Sequence, residues 1–305
     1  MSPFANVTLL ATDGSREAER AARMAVELTR SLGSELHVIN VAPLPSPYAL
    51  SESTVIDPRY RDEVRRIAER EAKEMLEEEV GKIREMGGEI SGSHPGAGRP
   101  DAGIVQVAEE IGADLIVLGS RGLGPLRRTL MGSVSTSVVR HAHGSVLVVR
   151  GEPRQDGYLP GRVLLAVDGS EESEAASRAA VEITSATGSE LHLLFALRTQ
   201  ERPPYSNPLL GERWASSLEE AKHRAREFVD EKARRIESEG VSIKDAHLVF
   251  GEPDHEIVKL GEELEAGLIV VGSRGLGGIK RALMGSVSTS VVRHAHGPVL
   301  VARGD

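Results

Sequence analysis

A chain of 305 residues is long enough for two ordinary domains of about 150 residues, each able to bury its own core. With 27% charged and 40% hydrophobic residues the composition is that of a globular protein, and apolar runs such as Leu115–Leu118 and Leu268–Val271 fall far short of the roughly 20 residues that span a bilayer. The lack of cysteine excludes disulfides, thiolate metal sites and cysteine nucleophiles, and a net charge of −9 argues against general affinity for nucleic acid or anionic membrane.

Met1–Val7 carries no basic region ahead of an apolar core, so the sequence predicts no secretory signal and a cytoplasmic location. Val7–Thr12 reads as a buried strand. Ser15 offers an N-cap with Glu17 in the first turn, and Ala18, Ala21, Ala22, Ala25, Leu28 and Leu32 follow at helical spacing until Gly33 ends the helix. Leu36–Val41 is the second strand and Arg59–Met86 a long charged helix. Glu89–His94 is a weak third strand, interrupted by Gly92 and followed by Pro95, Gly96 and Gly98. Asp101–Ile111 is a helix, Asp114–Gly119 a strand, Ser133–His141 a short helix and Val146–Val149 the last strand. The second half repeats this order, with Arg213–Glu239 as its long helix and the run His247–Phe250 in its third strand.

The halves are copies. Arg121–Arg150 and Arg274–Arg303 differ at only six positions, and Val7–Ser15 is matched by Arg162–Ser170. A unit of this length is a duplicated domain rather than a solenoid repeat. The expected organisation is one domain over 1–150, a linker over 151–161 and a second domain over 162–305. Strands alternating with helices predict an α/β protein of two tandem Rossmann-like domains, each a mostly parallel five-stranded sheet with helices on both faces. Ligands in such sheets bind beyond the carboxyl ends of the strands.

That location holds the most informative segment. Gly119-Ser120-Arg121-Gly122 follows the fourth strand and Gly132-Ser133 opens the next helix; Gly272-Ser273-Arg274-Gly275 and Gly285-Ser286 repeat the spacing. A glycine at a strand end lets a ligand approach the backbone, and a helix start offers N–H groups to phosphate. Arg121, Arg127 and Arg128, with Arg274, Lys280 and Arg281 in the copy, concentrate positive charge there in an acidic chain. A plain turn carrying solvated arginines is the competing reading. His141 and His143, like His294 and His296, fit a helix C-terminus better than a metal site. No P-loop, His-Glu-x2-His or kinase catalytic-loop pattern is present, so rapid ATP chemistry is not expected.

The glycine spacing in both copies, together with Asp13 and Asp168 at the ends of the first strands, resembles the ATP-binding branch of the universal stress proteins over essentially the whole chain. That branch carries Gly-x2-Gly-x9-Gly-(Ser/Thr) after the fourth strand. The resemblance implies that Gly119, Arg121, Gly122, Gly132 and Ser133 meet the phosphates of ATP, and Gly272, Arg274, Gly275, Gly285 and Ser286 those of a second molecule. It places Ala11, Thr12 and Asp13 at the nucleoside, with Val41 offering backbone groups to adenine; Ala166, Val167, Asp168 and Ala196 are the counterparts. Asp13 and Asp168 also fit helix-start carboxylates. One departure from the pattern is Ser145, where the second copy keeps the usual proline, Pro298.

The implied function is an ATP-binding stress-response or regulatory protein with one nucleotide site per repeat, with or without magnesium. A slow magnesium-dependent ATPase or autokinase, and a non-binding paired scaffold, are the alternatives. The implied partners are adenine nucleotide, a regulatory protein and further copies of the chain, with neither nucleic acid nor membrane. Because family members pair through their last strands, Val146–Val149 and Val299–Val301 are expected to join the two repeats. Separately expressed halves are therefore expected to dimerise or aggregate, and halves that stay monomeric at micromolar concentration in sedimentation would refute the pairing.

Overall fold

The structure, a computed structural model, describes residues 4–44, 58–122, 131–151, 157–198, 208–275 and 284–304. The loop cations Arg127, Arg128, Lys280 and Arg281 lie outside the described residues, as do residues 152–156 of the predicted linker. The chain divides into two compact units, Met1–Tyr158 and Leu159–Asp305.

In the first unit the elements are β1 (Val7–Ala11), α1 (Arg16–Leu32), β2 (Glu35–Pro43), α2 (Pro58–Glu85), β3 (Gly92–Gly98), α3 (Pro100–Glu110), β4 (Leu115–Gly119), α4 (Ser133–His141) and β5 (Ser145–Val149). Its strands lie in the order β3-β2-β1-β4-β5, every neighbouring pair parallel. The second unit runs β6 (Arg162–Ala166), α5 (Glu171–Thr187), β7 (Glu190–Leu197), α6 (Pro208–Ser238), β8 (Ile243–Phe250), α7 (Pro253–Glu263), β9 (Leu268–Gly272), α8 (Ser286–His294) and β10 (Val299–Ala302). Its order is β8-β7-β6-β9-β10, again parallel.

Parallel strands with helices over both faces bury both sides of each strand, which is why their sequences are continuous apolar runs. Leu115–Leu118 and Val146–Val149 are accordingly all buried. In the first unit α1 packs beside α2, and α3 beside α4. The start of α1 follows from local chemistry: the Ser15 side chain accepts from the Ala18 N–H at 3.2 Å, and Gly33 closes the helix with φ +68°. Ala18, Ala21, Ala22, Ala25 and Leu28 are buried as the spacing predicts, joined by Met24 and Val26, whereas Leu32 is only half-buried.

The third strand differs from its prediction. Gly92, Pro95, Gly96 and Gly98 do not break it; they lie within it, since β3 spans Gly92–Gly98. It ends the strand order of its unit, where a proline can face away from the ladder. Gly92 has a packing reason, because a Cβ there would lie 2.5 Å from His37 Nδ1. The long helix of the second unit also starts earlier than its charge pattern suggests, at Pro208 rather than Arg213.

Beside Gly92 sits a feature present in both units. His37 Nδ1 and His94 Nε2 are 3.0 Å apart with ring centroids at 5.3 Å and planes 20° apart. His192 Nδ1 and His247 Nε2 repeat this at 3.3 Å, 5.6 Å and 23°. Nitrogens so much closer than ring centres mean that the rings meet edge to edge and share one proton, one nitrogen donating and the other accepting. A second proton would set two donors against each other.

Burial first, then the neighbouring histidine, holds His94 and His192 below the ordinary value of 6.5. Glu110 in the first unit, and Glu190 and Asp245 in the second, counter this in part, whereas Arg162 reinforces it at His192. With the folded value below the unfolded one, the unfolded chain takes up the extra proton first. The stability is complete above about pH 6.5 and is lost as pH falls through the lowered folded values. The urea midpoint is expected to drop between about pH 8 and about pH 5.5, and less so in a His94→Gln, His192→Gln variant. Equal drops in both proteins would show that carboxylates alone set the acid response.

Candidate nucleotide cleft

β1 and β4 are adjacent, with Ala11 opposite Leu118, and the sheet order reverses between them. The chain leaves β1 into α1 and leaves β4 towards α4, so a crevice opens beyond their carboxyl ends. The cleft there has a volume of about 650 Å³, and its wall includes Ala11, Thr12, Asp13, Val41, Gly119, Arg121, Gly122, Gly132 and Ser133. All nine residues singled out in the first repeat thus border one cavity of a size that takes a small-molecule ligand. The wall also includes residues that sequence reasoning missed, notably Glu17, Asn40, Met75, Pro100 and Ile104. Only Glu17 had a signal in the sequence, as an acid in the first turn after the capping serine.

At one end of the cleft, α4 begins at Gly132 with no side-chain cap. Thr136 makes the first helical bond to Gly132 O at 3.0 Å, which leaves the N–H groups of Ser133, Val134 and Ser135 without intrahelical acceptors. The N–H of Gly132 itself is committed, donating to Ser120 O at 2.8 Å, and Ser135 Oγ donates to the same carbonyl at 2.9 Å. Gly285 and Ser288 do the same to Ser273 O, both at 2.8 Å. Gly132 and Gly285 therefore anchor the loop to the helix, and the donors open to an anion are those of the following residues.

The other two glycines answer to packing. A Cβ on Gly119 would lie 2.8 Å from the Glu17 carbonyl carbon, and one on Gly272 would lie 2.7 Å from that of Glu172, so each strand end abuts the first turn of α1 or α5. A Cβ on Gly122 would run into Oδ2 of Asp13, and one on Gly275 into Oδ2 of Asp168. The other carboxylate oxygen fixes the helix start: Asp13 Oδ1 accepts from Ser15 N–H at 3.1 Å, and Asp168 Oδ1 from Ser170 N–H at 3.0 Å and Ser170 Oγ at 2.6 Å. The aspartate thus does serve the helix start, and its other oxygen lies directly against the glycine loop.

The loop arginine has a partner. Arg121 pairs with Glu17 at 3.0 Å, and Arg274 pairs with Glu172. A second cation lies near each: burial and then the charge of Arg121 lower the pKa of Arg150, and burial and then Arg274 lower that of Arg303. Like charges held together in a half-buried place favour an incoming anion.

Thr12 borders the cleft and is also bonded into the fold. Its N–H donates to Ile39 O at 3.0 Å, its hydroxyl to Glu79 Oε2 at 3.1 Å, and its carbonyl accepts from Asn40 Nδ2 at 2.7 Å. In the second unit Val167 keeps only the backbone bond, to Leu194 O at 2.9 Å, and Ala196 lies on β7 beside Phe195. Away from the cleft, His141 Nδ1 contacts Ser137 O at 2.8 Å at the end of α4, and His143 pairs with Glu109 at 3.1 Å.

Two tandem doubly wound units, the first with its cleft where the strand order reverses, define a Rossmann-like α/β protein. The Universal stress protein family model matches residues 6–150 and again 160–303. The chain belongs to that family. It is 36% identical over 194 residues to a universal stress protein of Mycolicibacterium smegmatis, and 36% identical over 195 residues to universal stress protein Mb2019 of Mycobacterium bovis. The matches cover 63% and 62% of this chain but only 62% and 58% of those relatives' lengths. Among solved structures, a universal stress protein from Archaeoglobus fulgidus superposes with a TM-score of 0.68 at 26% identity, covering 99% of this chain and 98% of that one. No described helix is long and apolar enough to cross a membrane.

Proposed function

We propose that the chain binds one adenine nucleotide per repeat, ATP in the first instance, and acts as a regulatory member of its family whose occupancy sets conformation or partner choice. The observation that carries this reading is that the uncapped start of α4 borders the same cleft of about 650 Å³ as Asp13, whose carboxylate lies against the glycine loop. Backbone N–H groups, the helix dipole and the arginines suit phosphates at one end. The carboxylate suits ribose hydroxyls in the middle, and the strand ends at Val41 and Ala196 suit the base. A magnesium ion bound with the phosphates would add charge neutralisation. The cytoplasm, pairing of the repeats and a separate regulatory protein partner belong to the same proposal.

The test is to denature the purified protein and identify the nucleotide released. Intact ATP is the expected result. Magnesium-dependent ADP production, abolished by changing Asp13 and Asp168, would establish the slow ATPase instead. A folded chain that takes up no adenine nucleotide would establish the scaffold.

A further inference from the structure

The two repeats part company at the end of the cleft away from the phosphate donors. In the first, Asn40 is only 5% exposed yet borders the cleft beside Val41. Its Nδ2 donates to Thr12 O at 2.7 Å and lies 3.1 Å from Met75 Sδ on α2. The Thr12 carbonyl fixes the orientation of the amide, so the group left for a ligand is Oδ1. Among the described residues no hydrogen bond to Oδ1 occurs.

Strand register identifies the counterparts. Ala11 opposes Ile39 and Ala166 opposes Leu194, so Phe195 stands where Asn40 stands. Asn40 touches Met75 on the long helix, and Phe195 touches Phe228, with ring centroids 5.1 Å apart and planes at 58°. Among the described residues the polar chain from Thr12 to Glu79 has no equivalent: Val167 replaces Thr12, and Lys232, one turn beyond Phe228, pairs with Glu174 at 2.8 Å.

On the nucleotide reading, this end holds the base, and we infer that Asn40 makes the first repeat selective for adenine while the Phe195–Phe228 pair leaves the second tolerant of other bases. A fixed acceptor suits the exocyclic amine of adenine and opposes O6 of guanine, an acceptor that would leave both groups unpaired. Sites built on such a bond discriminate strongly against an analogue that cannot make it. An aromatic face stacks on every base, since each has a π-face, and so separates them weakly.

The experiment uses the full chain, titrated calorimetrically with ATP and with GTP. ATP is expected to bind at two equivalents, and GTP at one equivalent in the same concentration range, with the second at least about tenfold weaker. Asn40→Leu is expected to bring the two GTP affinities within about threefold, and Phe195→Asn to impose discrimination on the second repeat. The parent titration stands even where a variant fails to fold. Equal ATP and GTP stoichiometry and affinity in the parent would overturn the inference while leaving nucleotide binding intact. The same follows if a folded Asn40→Leu protein still rejects GTP. Binding of neither nucleotide would overturn the nucleotide reading and the inference with it.

Discussion

Replacing Gly122 with valine is expected to remove nucleotide binding from the first repeat alone, and Gly275→Val from the second alone. The sequence suggests a simple cause, a side chain in space the phosphate needs. The structure supplies a nearer one, since a Cβ at either glycine collides with Oδ2 of Asp13 or Asp168 before any ligand is present. Either the loop swings away or the carboxylate is displaced, and each outcome separates the group assigned to the nucleoside from the donors assigned to the phosphates. Losing two charge-assisted hydrogen bonds of about 1.5–3 kcal/mol each would weaken binding a hundredfold or more. The fold is expected to survive, because Gly122 is an exposed loop residue outside every strand and helix. Calorimetry on each variant is expected to show the stoichiometry fall from two to one with the thermal midpoint kept. An unchanged stoichiometry and affinity in the double variant would remove the glycine loop from the site.

The second large effect concerns the arginines. Arg121 and Arg274 already pair with Glu17 and Glu172, so incoming phosphate must share or displace an existing partner. Changing both arginines to alanine removes two cations and leaves two carboxylates beside the phosphates, and both changes act against ATP. A loss of about 1–3 kcal/mol per site is expected for ATP, with adenosine nearly unaffected. Glu17→Gln with Glu172→Gln is expected to act in the opposite direction, tightening ATP, at a cost of about 0.3–1 kcal/mol in helix-start stability each. The ratio of ATP to adenosine affinity, at low and at moderate salt, separates these effects from any change at the base. An identical ratio in parent and arginine variant would leave the phosphates to backbone and metal.

How much of this was legible in the sequence depends on the range of the contact. The alternating elements, the duplication and the start of α1 were readable because buried parallel strands, caps and helical spacing are local patterns. The strand β3 was misread because its glycines and proline look like a break, whereas a terminal strand tolerates Pro95 and the ring of His37 requires Gly92. The glycine spacing pointed to a loop that borders the cleft, but not to what each glycine does. That Gly122 faces Asp13 and that Gly132 donates to Ser120 are facts of tertiary geometry. Asn40 and Met75 carry no motif at all, and they join the cleft only because β2 and α2 pack together beside it.

One nucleotide per repeat is tested most directly by titrating the nucleotide-free full chain with ATP and counting equivalents at saturation. Two molecules of ATP per chain are expected, with one lost in Gly122→Val, the other in Gly275→Val and both in the double variant. A folded parent chain that binds no ATP at millimolar concentration, or whose binding is indifferent to both glycine substitutions, would contradict the assignment of these clefts.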